Sequence, residues 1–82
     1  MNGIVLVLNA GSSSLKFATY AVSATGPEAR HAGQVQGIGA APHFVARDAA
    51  GAVLAERRWQ GGGAPRSHTD ALATIIGWLE GA

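Results

Sequence analysis

Hydrophobic residues are arranged along this chain in three different rhythms. Near the amino terminus, Ile4 to Leu8 form one unbroken aliphatic run, cut off by Asn9. A run of that kind, bounded by turn residues, predicts a strand buried on both faces. After the polar turn Ala10 to Ser14 the rhythm becomes alternation: Leu15 and Phe17 point one way, Ser14 and Lys16 the other. A second strand is expected over 15–22, where Phe17, Thr19, Tyr20 and Val22 suit a pleated, half-buried surface. Ser23 to Pro27 (S-A-T-G-P) reads as a turn, and 29–38, with Val35 and Ile38 among glutamines, as a third strand. Gly37, Gly39 and Pro42 interrupt the pattern before a fourth extended piece over 43–47. Asp48 to Gly51 then turns the chain back into a fifth, 52–59, making a hairpin, and Gly61 to Pro65 is a loop. The last rhythm is helical. Leu72, Ile75, Ile76 and Leu79 share one face of a helix predicted over 68–79, with Gly81 past its end. Ser67 is the expected N-cap, its hydroxyl accepting from the backbone N–H of Asp70.

The order is three strands, a hairpin and a helix, an α/β arrangement. One helix covers one face of a sheet, whereas the opening strand asks for cover on both. A chain of 82 residues allows a single small domain, and one of that size buries only about 60% of its unfolded surface. The expectation is therefore that residues 1–82 are the front part of something larger. There is no cysteine, so neither a disulfide nor a thiolate zinc site can help to hold it. A net charge of +1 leaves no electrostatic footprint for nucleic acid or an anionic membrane. No apolar stretch approaches the roughly 20 residues that span a bilayer, and no basic segment precedes the first apolar run as in a signal peptide. A soluble, intracellular protein is the default expectation.

The first turn holds the candidate chemistry. Handling the phosphates of ATP requires backbone N–H groups aimed at phosphate oxygens, an oxygen near Mg²⁺, and a cation. Gly11 permits close backbone approach or positive φ. Ser12, Ser13 and Ser14 add N–H groups and hydroxyls, Lys16, the only lysine, adds the charge, and Asn9 offers an amide oxygen. The P-loop pattern does not fit, because Leu15 precedes Lys16 and a strand follows. On the residues alone, N-A-G-S-S-S reads more readily as a plain polar β-turn with a solvated lysine, because Gly/Ser turns are common. The arginines (Arg30, Arg47, Arg57, Arg58 and Arg66) read as solvated strand and loop residues. His31, His43 and His68 lack metal-ligand spacing and read as surface or structural residues.

The string N-A-G-S-S-S-L-K, Asn9 to Lys16, directly after an aliphatic strand, resembles the amino-terminal signature of the acetate and propionate kinases. The match continues more weakly through Phe17 to Tyr20, the G-I-G at Gly37 to Gly39, and S-H-T-D-A-L at Ser67 to Leu72. Ala10 and Ser13 favour this branch over the butyrate kinases, which look like N-P-G-S-T-S here. The resemblance implies a partial lobe of an actin-like ATPase fold, of the kind shared with sugar kinases and Hsp70, built on a ribonuclease-H-like mixed β-sheet. It implies that Gly11, Ser12, Ser13, Ser14 and Lys16 bind ATP, and that Asn9 sits near the Mg²⁺ as a neutral contact. It further implies a cytoplasmic homodimer that moves the γ-phosphoryl of ATP reversibly onto acetate or propionate, giving ADP and an acyl phosphate. The family's substrate arginines, catalytic acid and histidines lie beyond Ala82, so residues 1–82 alone are expected to be inactive. The rival expectation is a truncated binding module whose exposed helix face (Leu72, Ile75, Ile76, Leu79) docks on a partner.

Overall fold

The computed structural model describes residues 3–59 and 64–81. It contains β1 (Gly3–Ala10), β2 (Ser14–Ser23), β3 (Gly26–Gln36), β4 (His43–Asp48), β5 (Val53–Arg58) and α1 (His68–Gly81). The strands form one sheet in the order β1-β2-β3-β4-β5, every neighbour antiparallel. A parallel partner, which would make the sheet mixed as expected, does not occur among the described residues. The sheet with its one helix is the arrangement expected of part of an actin-like α/β lobe.

The alternation read in β2 sets the two sides of the sheet. Leu15 and Phe17 are buried beneath α1, whereas Lys16 is exposed on the opposite side. Register carries this division outward: Val35 faces Leu15 across β2–β3, and Phe44 faces Val35 across β3–β4. These residues, with Ala46 and with Ala71 and Ile75 from the helix, form the core. The Phe17 and Phe44 rings lie nearly parallel, their centroids 6.3 Å apart, and Trp78 leans on both from above. Such contacts contribute about 0.5–1.5 kcal/mol per pair beyond area burial. Gly33 lies against the Phe17 ring: a Cβ there would stand 2.7 Å from the ring and 2.1 Å from the Val45 carbonyl oxygen.

Capping fixes where the helix begins. The Asp70 amide donates to Ser67 Oγ at 3.1 Å, as expected, and Asp70 Oδ2 accepts from the Arg66 amide at 3.1 Å. One amide left over at the helix start is thereby satisfied, the chain just before the cap is tied to the first turn, and a carboxylate stands at the positive end of the helix. The β4–β5 hairpin is held similarly, by Asp48 Oδ1 accepting from the amides of Ala50 and Ala52, each at 2.9 Å.

Four expectations need correction. The opening strand is not buried on both faces: β1 is an edge strand, and Ile4 (67%), Val7 (49%) and Leu8 (42%) are exposed. Only its Leu6 packs against the core, because α1 lies over the middle of the sheet. The Ser23–Pro27 turn is shorter than read: β2 runs to Ser23, β3 begins at Gly26, and the third strand gains three residues at its start. Gly81 is the last helical residue rather than the first beyond the helix. Finally, the helix face is not on offer to a partner. Ile75 is fully buried, Leu72 and Leu79 pack against the core, and Ile76 alone of the four stands exposed. Of the 61–65 loop, 61–63 lie outside the described residues.

Candidate functional site

The bend between β1 and β2 is a three-residue loop, Gly11 to Ser13, closed by the Gly11 amide donating to the Ser14 carbonyl at 2.9 Å. Gly11 does not take positive φ. Its lack of a side chain matters for space instead, since a Cβ there would stand 2.6 Å from Ser14 Oγ. Gly11, Ser12 and Ser13 are exposed and Ser14 is half-buried. Among the described residues, the amides of Ser12 and Ser13 and the hydroxyls of Ser12, Ser13 and Ser14 have no hydrogen-bond partner. The bend therefore offers a small group of unused donors at the surface, the kind of concavity in which backbone N–H groups hold an anion.

Asn9 and Lys16 flank this bend as direct cross-strand partners, both exposed. Directly opposite residues on one sheet face have Cβ atoms about 5 Å apart, so the amide and the ammonium-bearing side chain leave the sheet side by side. They stand on the side away from α1. There Lys16 also borders a hollow of about 370 Å³ with Gln34, Gln36, His43, Arg47 and Glu56. Lys16 makes no ion pair among the described residues, so its charge is available.

Two long-range contacts hold the bend from the rest of the chain. Ile38 donates its amide to the Ser13 carbonyl at 2.9 Å, and His68 Nε2 lies 2.6 Å from the Gly11 carbonyl oxygen. A carbonyl can only accept, so Nε2 carries the proton in that bond. The three patches of sequence that carried the resemblance, Asn9–Lys16, Gly37–Gly39 and Ser67–Leu72, thus converge on one place. Gly37 makes the approach of Ile38 geometrically available. Its φ of +71° is one that side-chain-bearing residues avoid, and a Cβ would stand 2.3 Å from the Ala41 carbonyl oxygen.

Several other polar residues have partners of their own. His31 packs edge-on against Trp78 with centroids 5.2 Å apart, and His43 pairs with Glu56 at 2.6 Å. The Arg57 guanidinium lies 4.9 Å from the centre of the Trp59 ring, and Arg47 donates to the Gly51 carbonyl at 3.2 Å. These arginines are exposed, as read from the sequence. For a divalent cation the segment supplies little: no cluster of three His, Cys, Asp or Glu is present among the described residues. The Asn9 amide oxygen is a hard, neutral donor beside the bend. It suits one contact, direct or through water, to a Mg²⁺ held mainly by phosphates. His68 is what sequence reasoning missed. The S-H-T-D-A-L resemblance marked its position but gave no hint that its ring reaches the bend.

Comparison with known proteins agrees with the resemblance. Over 98% of its length the chain is 41% identical to the acetate kinases of two strains of Rhodopseudomonas palustris. It spans 20% of the length of those relatives. No protein-family model matches the chain, and no solved structure matches it.

Proposed function

We propose that this chain is the amino-terminal part of the first lobe of an acetate kinase, and that its β1–β2 bend grips the phosphates of ATP. The whole protein transfers the γ-phosphoryl group to acetate or propionate. A carboxylate oxygen forms the new bond to phosphorus, the bond to the β-phosphate oxygen breaks, and ADP and the acyl phosphate leave; the reverse reaction uses the same groups. Within this segment, the Ser12 and Ser13 amides and the neighbouring hydroxyls donate to phosphate oxygens. Lys16 balances phosphate charge, and the Asn9 amide oxygen touches the coordination shell of Mg²⁺. That cation, when bound with the nucleotide, neutralises charge developing on the phosphoryl oxygens.

What carries the reading is the bend itself, with unpartnered donors facing solvent and two of its carbonyls engaged from distant parts of the chain. Donors fixed before the ligand arrives need no reorganisation when charge appears, which is how such sites stabilise phosphoryl transfer. Transfer also needs an acceptor site and further charged groups brought into line, so residues 1–82 alone are inactive. Among the described residues no helix is long and apolar enough to cross a membrane; a cytoplasmic location is carried over from the family the chain resembles. As in the family it resembles, the complete protein is a homodimer.

The test is Lys16→Ala in the full-length protein, with Mg·ADP affinity measured by calorimetry. A hydrogen bond to a charged group contributes about 1.5–3 kcal/mol, so affinity should fall about tenfold or more while circular dichroism stays unchanged. Unaltered affinity would remove Lys16 and its bend from the nucleotide site.

A further inference from the structure

The contact between His68 and the bend does more than tie two surface elements together. The bend is already closed by its own backbone bond from Gly11 to Ser14. The His68 bond is exposed and joins residues 57 positions apart. Its effect is directional. No peptide bond among the described residues is cis, and in a trans unit the C=O and the following N–H point in opposite directions. Holding the Gly11 carbonyl toward the start of α1 therefore turns the Ser12 N–H the other way. The Ile38 amide does the same for the next-but-one unit, holding the Ser13 carbonyl. The free Ser12 donor is aimed by a side chain that need not touch the ligand.

We infer that His68 is a positioning residue for the nucleotide: by donating from Nε2 to the Gly11 carbonyl, it fixes the Gly11–Ser12 peptide so that the Ser12 amide is preset to receive a phosphate oxygen. This deepens the reading of the bend as the ATP phosphate site and rests on it. Substitution separates aiming from mere bulk. A glutamine places its side-chain N–H₂ about as far from Cα as Nε2 of histidine, whereas asparagine reaches only to the position of Nδ1.

The experiment uses the full-length protein, with Mg·ADP affinity from calorimetry and Michaelis constants for ATP and for the carboxylate. A neutral hydrogen bond is worth about 1 kcal/mol, so His68→Ala should weaken Mg·ADP binding about fivefold and raise the KM for ATP in step. The KM for the carboxylate should stay within about twofold of wild type. His68→Gln should restore nucleotide affinity to within about twofold, and His68→Asn should not. Unchanged affinity in His68→Ala, with affinity lost in Lys16→Ala, overturns the role of His68 and leaves the phosphate site standing. Unchanged affinity in both overturns the site as well. If His68→Ala does not fold, the glutamine and asparagine variants decide: equal affinities in those two overturn the proposal.

Discussion

Substituting the glycines around the bend provides a graded test of how rigidly the segment is held. Gly37 has φ +71°, and a Cβ there would meet the Ala41 carbonyl oxygen at 2.3 Å and the Ala41 carbonyl carbon at 3.0 Å. Gly39 has φ +87° but nothing within 4 Å, and Gly77, inside α1, has neither positive φ nor a near neighbour. Gly37→Ala therefore combines two penalties. A left-handed backbone conformation costs an L-residue about 1–2 kcal/mol, and forcing a carbon into filled space adds typically about 1–3 kcal/mol. The Ala41 carbonyl is poorly placed to yield, because Pro42 follows it, is buried, and accepts from the Trp59 amide. The expected loss is about 2–5 kcal/mol for Gly37→Ala and about 1–2 kcal/mol for Gly39→Ala. Gly77→Ala should gain about 0.5–1 kcal/mol, since alanine is the better helix former. Urea unfolding of the 82-residue chain followed by circular dichroism would rank the three. With a slope of about 1–2 kcal/mol per M for a small domain, the Gly37→Ala midpoint should fall by more than 1 M. A Gly37→Ala midpoint no lower than that of Gly39→Ala would refute the argument, since it would mean that the Ala41 carbonyl moves freely and does not fix the turn bearing Ile38.

Other substitutions probe the helix. Ser67→Ala removes the acceptor for the Asp70 amide and should destabilise by about 1 kcal/mol, while Ser67→Asp should retain most of the cap; thermal melts would show both. Ile75→Ala empties the centre of the helix–sheet contact, where the side chain is fully buried. A loss of about 2–5 kcal/mol follows, read as a fall in the denaturation midpoint. A loss below 1 kcal/mol would mean that α1 is not docked as described.

Element types were legible in the sequence because each depends on neighbours along the chain. The alternation of Leu15, Lys16 and Phe17, the Asp48–Gly51 turn and the Ser67 cap are all local signals, and all are found where expected. The misreadings are tertiary. Pro27 suggested a turn, yet it lies within β3, paired with Val22. Pairing of β3 with β4 extends only as far as His31, so β3 has one neighbour at Pro27 and its missing N–H disrupts no second ladder. The aliphatic run in β1 gives the hydrophobicity of the strand but not its place in the sheet, and here it lies at the edge. The composition of the bend was visible in the string Asn9–Lys16. Its support from Ile38 and His68 was not, because contacts across 25 and 57 positions have no local signature.

The two borders of the sheet are unequally defended. At one border β5 ends in Glu56, Arg57 and Arg58, charges that discourage a further strand from joining. At the other, Gly3–Ala10 carries neither charge nor proline, leaving an eight-residue template of aliphatic backbone. Growth of this sheet is therefore one-sided. In the longer protein proposed above, a strand laid beside Ile4–Leu8 would also act as a guard against self-association. On its own, the 82-residue chain should pair through that border with its own copies, giving a sedimentation coefficient that climbs with concentration.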